Sequence, residues 1–509
     1  MPVPELIRDS FIGQLVYYGS GRRLFQYPED QPNFSLPIQH QKDLSGSNSE
    51  TATLADNSKP RSDEKNIVTE KRESTVSAVE RPPLEESTVG QEILRSPSRD
   101  VEKGRLAEEQ RRFTEEFHTP NLVHWYGPDD QENPQNWSFL KKCFVTFDIC
   151  LLTFSIYIGS AIYAPGIEAL SLQFGVSPVA GTLGLTLFVV GYGVGPMFLS
   201  PLSEIPQLGR TTVYIVSLLI FVVLQVPTAL SKNLGALLPL RFLAGFVGSP
   251  ALATGGASLI DMWAAEDWAV VIGLWSLAAV CGPVLGPLIG GFAAQAEGWT
   301  WTIWILLWLS GAALAFLAFF LPETSAQAIL YRRATRLRRL TGNADLRSQG
   351  ELDSAHLTVS EMTQTALIRP FVLSFTEPIV ACWNLYIALV YGILYIFIES
   401  FRVVFMETHG FNIGENGLAF LGLFVGAVAA YIGLLPYAIL KLKPMFKNGP
   451  ENFIPESRLP IAMVGAIFLP ISMFWFGWTS GANVHWIVPI IGSGFFSFGT
   501  FLLFQAGLK

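Results

Sequence analysis

Long apolar runs separated by short polar connections occupy the chain from residue 141 to its end. Ten runs lie near 141–163, 179–200, 211–230, 236–260, 269–293, 300–321, 378–400, 416–440, 460–479 and 484–507. Each approaches the ~20 residues that a helix needs to cross ~30 Å of hydrocarbon. Only helices satisfy their own backbone polar groups within such a run, so the pattern predicts an all-α membrane protein with ten spans. It divides the chain into a tail over 1–135, a six-helix bundle over 136–322, a polar connection over 323–377 and a four-helix bundle over 378–509.

Composition agrees with this reading. Half of the 509 residues are hydrophobic and only 15% are charged, against about 25% in soluble domains. The charge crowds the tail, where residues 36–118 are rich in Ser, Glu, Lys, Arg and Pro and are expected to be disordered. The first 30 residues differ, mixing Phe11, Tyr17, Tyr18, Phe25 and Tyr27 with Arg22 and Arg23. They fit either a short amphipathic element against the membrane surface or the protein body, or an unstructured tail. No apolar core of a cleavable signal peptide opens the chain, so the first span is expected to act as the targeting signal. The formal charge of −8 comes largely from the tail, and no feature points to nucleic acid. Cys143, Cys150, Cys281 and Cys382 lie in or beside apolar runs without CxxC spacing or a nearby His, so buried thiols are expected and neither a metal site nor a disulfide.

Lys and Arg in short connections favour the cytoplasmic side. With the amino terminus inside, the inner connections hold Arg210, then Arg332, Arg333, Arg336, Arg338, Arg339 and Arg347, then Lys441, Lys443, Lys447 and Arg458. The outer ones hold little more than Lys232 and Arg402, so a cytoplasmic amino terminus is expected.

The fifth run contains "CGPVLGPLIGGF", residues 281–292. In water an interior proline costs a helix about 3 kcal/mol and a glycine about 1. Gly282, Gly286 and Gly290 recur every four residues and share one helix face; Gly273 precedes them, Gly291 follows, and Pro283 and Pro287 repeat the spacing one position on. Small residues at that interval let two backbones approach, and in lipid neighbouring helices satisfy the carbonyls that proline frees. The string predicts a bent, tightly packed helix interface.

Several strings together resemble the major facilitator superfamily in its fungal drug:proton antiporter form. "GPMFLSPLSEIPQLGRTTVYI" is similar to the family's cytoplasmic-loop signature at Gly195, Pro196, Pro201, Ser203, Glu204, Gly209 and Arg210; "LRFLAGFVGSPALATGGASLIDMW" matches the arginine-bearing signature at Arg241, Phe242, Gly245 and Gly248. The glycine string of the fifth run resembles the family's antiporter signature. "LPET" at 321–324, "NPQNW" at 133–137 and the run 376–401 agree with the multidrug and benomyl resistance exporters. The resemblance implies two pseudo-repeated bundles. It also implies export of small hydrophobic or amphipathic drug-like compounds from a monomer, with protons as the coupling ion and no cofactor beyond the proton gradient. The plasma membrane is the expected home, the vacuolar membrane the alternative. Polyamine or secondary-metabolite export is the rival within the same fold. A membrane enzyme has no support, since no catalytic constellation appears.

Chemistry inside the spans narrows the site. Asp148 is the one ionisable residue within the first span beyond its opening turn and is a proton-site candidate; an acid at a wet inner mouth is the competing reading. Arg241 needs a partner within the membrane or snorkels to the outer interface. Counting residues places it about 15 Å from Asp148. Glu399 is a second proton candidate or a plain interfacial acid. Trp275, Asn384, Tyr386, Tyr391 and Tyr395 are candidates for an apolar cavity at the repeat interface, with ordinary packing as their alternative. Across the loop signature, Glu204 and Arg210 are placed to pair. Trp299, Trp301 and Trp304 are expected at the outer interface. "GYGVG" at 191–195 lies inside an apolar run and is no nucleotide loop. Repeat logic asks for six helices in each half, so the second bundle is expected to be incomplete, as in a truncated product, and a non-transporting membrane protein is the reading from a different class.

Overall fold

A computed structural model of the protein describes residues 3–31, 34, 121–355, 368, 372, 374–447 and 455–507. The expected disorder of 36–118 lies outside these residues. Among the described residues ten stretches are long and apolar enough to cross a membrane, one for each predicted run. Two short helices open the chain, α1 (Val3–Asp9) and α2 (Phe11–Gly19). The first six spans are α3 (Phe139–Ala161), α4 (Pro178–Glu204), α5 (Gly209–Ala229), α6 continued by α7 (Leu234–Gly248 and Pro250–Met262), α8 (Trp268–Glu297) and α9 (Trp299–Phe320). An amphipathic helix, α10 (Ala326–Thr341), follows. The remaining spans are α11 (Pro378–Phe401), α12 continued by α13 (Ile413–Ala419 and Leu421–Tyr437), α14 (Leu459–Thr479) and α15 (Ile487–Gly507).

Each group of spans closes around its own apolar core. Val145, Ile149, Leu218, Phe221, Leu306 and Leu317 meet in the first. Phe397, Phe401, Phe420, Phe476 and Phe496 stack in the second, with the Phe397 and Phe496 rings 4.3 Å apart and nearly parallel. Apolar side chains on the outer faces stay exposed, as a hydrocarbon solvent permits: Val223, Trp308, Leu385 and Ile467 are examples. The same solvent explains a correction at the cysteines. All four are free thiols, but Cys143 and Cys382 are exposed and Cys150 and Cys281 only half-buried, where burial was expected of all four.

The opening residues pack on the protein body. Ser10 caps α2, accepting from the Gly13 amide, and its backbone bridges to Pro322 at the end of α9. Glu29, 1% exposed, meets Arg336 of α10 at 3.0 Å and Arg333 at 3.7 Å. Arg333 also pairs with Asp130 at 2.6 Å and Glu132 at 2.9 Å, while the Arg336 guanidinium lies over the Tyr27 ring. Burial opposes both charges, but the surrounding carboxylates outweigh it and hold the two guanidiniums above their ordinary values. Arg333 and Arg336 are therefore internal fasteners.

Candidate functional site

A cavity of about 250 Å³ lies between the two groups of spans. Tyr157 of α3, Tyr192 of α4 and Trp275 of α8 line one side; Tyr391 and Tyr395 of α11 and Phe504 of α15 line the other. Among the described residues, none that lines it carries a charge. The Tyr192 and Tyr395 hydroxyls are 3.1 Å apart and join the two groups. Tyr157 packs on Tyr192 with ring centroids 5.7 Å apart, and Tyr391 on Phe504 at 5.2 Å. The Trp275 indole N–H donates to Thr153 Oγ1 at 2.8 Å, which satisfies its polar edge. Gly255 and Gly256 make room for that indole, since a Cβ on either would stand 2.9 and 3.3 Å from the ring. Such a chamber suits a flat apolar molecule that takes a hydrogen bond or two from tyrosine.

Three of the five predicted cavity residues, Trp275, Tyr391 and Tyr395, line this space; Asn384 and Tyr386 do not. Tyr386 shares the face of Val390, Ile393 and Phe397, which packs into the second core. Asn384 is exposed beyond the cavity, where its amide donates to Ser374 Oγ at 3.0 Å. The first group's tyrosines escaped the sequence reading. Tyr192 sits within "GYGVG", whose glycines are the signal: Gly191 and Gly195 press α4 against Phe242, Phe246 and Ser249, leaving the intervening ring to face the other way.

The helix breakers of 281–292 leave α8 unbroken over 30 residues. A Cβ on Gly282 would stand 2.8 Å from the Ile158 amide nitrogen, and one on Gly286 would stand 2.8 Å from that of Ile162; Gly290 also faces Ile162. The predicted glycine face thus lies backbone to backbone on α3. Gly273 and Gly291 belong to a second seam. Gly273 faces Tyr431 of α13, and a Cβ on Gly291 would stand 2.8 Å from the Ile413 carbonyl oxygen at α12. From the other side, Gly417 of α12 meets the Pro287 carbonyl. The fifth span is therefore gripped by both groups.

The proton candidates lie apart. Asp148 is fully buried on α3, and neither carboxylate oxygen has a hydrogen-bond partner among the described residues. Arg241 is equally buried, so it does not snorkel. It donates to the carbonyls of Gly159 at 2.8 Å and Gly184 at 3.2 Å, between the rings of Tyr163 and Phe188. Gly159 lies eleven residues beyond Asp148 on one helix, about 16 Å away. Glu399 is exposed toward the opposite end of α11 from Asn384. No ion pair joins any two of the three among the described residues.

At the arginine-rich end the loop signature interlocks with "LPET". Gly209 turns through the left-handed region at φ 72°, and a Cβ there would collide with the Glu323 carboxylate. Glu323 Oε1 accepts from the amides of Arg210, Thr324 and Ser325 at 3.0 to 3.1 Å, and Thr211 donates to the Pro322 carbonyl. Arg210 takes Asp261 of α7 at 2.7 Å in place of the expected Glu204, which lies exposed at the end of α4. Ser203 turns back to the Ser200 carbonyl, with Pro201 inside the same helix. Trp299 is buried at the start of α9, with its indole N–H on Gln173 at 2.6 Å.

The family model described as the Major Facilitator Superfamily matches residues 149–508. The chain is 48% identical to "Transporter mfs1" of Schizosaccharomyces pombe over 385 residues, covering 76% of this chain and 72% of that protein. It is 39% identical to the "Cycloheximide resistance protein" of Candida maltosa over 503 residues, with 98% and 84% covered. It is 45% identical to "Fluconazole resistance protein 1" of Saccharomyces cerevisiae over 395 residues, with 77% and 71% covered.

Proposed function

This chain belongs to the Major Facilitator Superfamily, and on that premise we propose that it exports uncharged lipophilic organic compounds in exchange for protons. The observation that carries the reading is the tyrosine-lined, uncharged cavity between the two groups of spans. Two relatives named for cycloheximide and fluconazole resistance support the same class of cargo. Polyamines fit the cavity poorly, because several positive charges would enter a space without a lining carboxylate.

Asp148 is the proposed proton carrier. With no hydrogen-bond partner among the described residues to release, its carboxyl gains or loses a proton without breaking a contact. The helix that carries it also supplies Tyr157 to the cavity and Ile158 and Ile162 to the glycine seam, so one rigid element would couple the proton to the cargo. Arg241 clamps α3 to α4 through the Gly159 and Gly184 carbonyls, a positioning role. The arginine-rich end is the cytoplasmic one in this proposal, and the plasma membrane is the site of export.

Cells lacking and overproducing the protein provide the test. Tolerance to cycloheximide, fluconazole or benomyl should fall in the first and rise in the second, with spermidine tolerance unchanged. A change confined to spermidine would overturn the proposed cargo.

A further inference from the structure

A second crevice, of about 350 Å³, lies far from the tyrosine cavity, at the arginine-rich end. Phe11, Leu15 and Tyr18 of α2 form its outer wall; Thr212 of α5 and Arg332 and Thr335 of α10 form its inner wall. Leu15 is 58% and Tyr18 52% exposed, one turn apart on an uncharged helix. They do not cover the crevice but edge it.

What lies beyond that edge decides the occupant. Thr212 opens a stripe along α5 continued by Val216, Leu219, Ile220 and Val223, all more than 40% exposed. At spacings of three and four these positions share one helix face. That face is apolar along a membrane span, so hydrocarbon covers it. The crevice therefore stands where a lipid-facing stripe ends, at the depth of the headgroup layer. Its polar groups suit a phosphodiester: the Thr212 hydroxyl and the Arg332 guanidinium, the Thr335 hydroxyl being taken up by the Tyr331 carbonyl and Arg338. Arg332 touches Glu323 and the Leu208 carbonyl only through Nη2, at 3.3 and 3.5 Å, so its fork is not filled.

The geometry points to a phospholipid site, with the headgroup phosphate held by Arg332 and Thr212 behind α2 and an acyl chain laid along Val216, Leu219 and Val223. The site is independent of the transport reading. It gives α2 a role that its composition asks for: a wall that is apolar toward lipid and fastened to the protein behind by Ser10 and Glu29.

Native mass spectrometry of the purified full chain, stripped stepwise of detergent in the presence of dioleoyl phosphatidylserine, tests this. The wild type should retain one lipid after all others have left. Arg332→Gln should weaken that retention about tenfold, the scale of a charge-assisted hydrogen bond. Leu15→Asp, on an exposed wall and outside the Glu323 contacts, should do the same. Millimolar inorganic phosphate should leave the lipid in place. Retention equal to wild type in Leu15→Asp, or displacement by inorganic phosphate alone, would overturn the proposal.

Discussion

The hydroxyl oxygens of Tyr192 and Tyr395 lie 3.1 Å apart, one from each group of spans, at the edge of the central cavity. Tyr192→Phe and Tyr395→Phe remove the same hydrogen bond, worth about 1 kcal/mol. Each should lower stability by about that amount, and the double variant should lose no more than either single one. Thermal unfolding in detergent measures this; additive losses would mean that the hydroxyls act separately.

Gly286→Leu should strike the seam between α8 and α3, because even a Cβ there stands 2.8 Å from the Ile162 amide. Overpacking of that kind costs about 1–3 kcal/mol, and drug export should disappear with it. Gly392 on α11 has open space around it, so Gly392→Ala should be neutral or raise stability by up to about 1 kcal/mol. Thermal unfolding in detergent, run beside a drug-tolerance assay, separates the two sites.

Asp148→Asn removes a charge that no described residue pairs with. Stability should be unchanged or higher, since burying an unpaired carboxylate is costly. Proton-driven export should be lost while drug binding remains. A large drop in melting temperature would contradict the absence of a partner.

Glu29→Ala strips Arg336 of one carboxylate and leaves Glu132 as the other. Breaking a buried pair outright costs about 3–5 kcal/mol; the remaining partner should place this variant toward the lower end. The expected readout is protease cleavage within residues 3–31. The pH response is also fixed. Burial pushes Asp130 up, but hydrogen bonds and charge from Arg333 prevail and hold it below the ordinary aspartate value of 3.8. A depressed carboxyl stabilises above its unfolded value, and that contribution fades as pH falls through the folded one. The stability that Asp130 contributes at Arg333 should therefore be flat between about pH 5 and 8 and fade only below about pH 4.

The ten spans were legible in the sequence because hydrocarbon demands long apolar helices, and the Gly282, Gly286, Gly290 face because four-residue spacing survives any tertiary arrangement. Tyr391 and Tyr395 were legible as aromatics on an apolar span. Asn384 and Tyr386 looked equivalent to them, since depth and facing depend on the neighbours of α11 and not on composition. The partners of Arg241 were hidden for a related reason: they are the backbone carbonyls of Gly159 and Gly184, which no side-chain pattern encodes. Asp261 displaced Glu204 as the partner of Arg210 because the far end of the next run, α7, returns beside the start of α5, a neighbour that the loop's own residues do not encode.

The most direct measurement uses the full chain reconstituted in liposomes with an imposed proton gradient, following labelled fluconazole together with lumenal pH. Drug should accumulate against its own gradient, protons should move the opposite way, and both movements should stop when the gradient is collapsed or when Asp148 is replaced by Asn. Drug movement that persists unchanged under either treatment would contradict proton-coupled export through the tyrosine cavity.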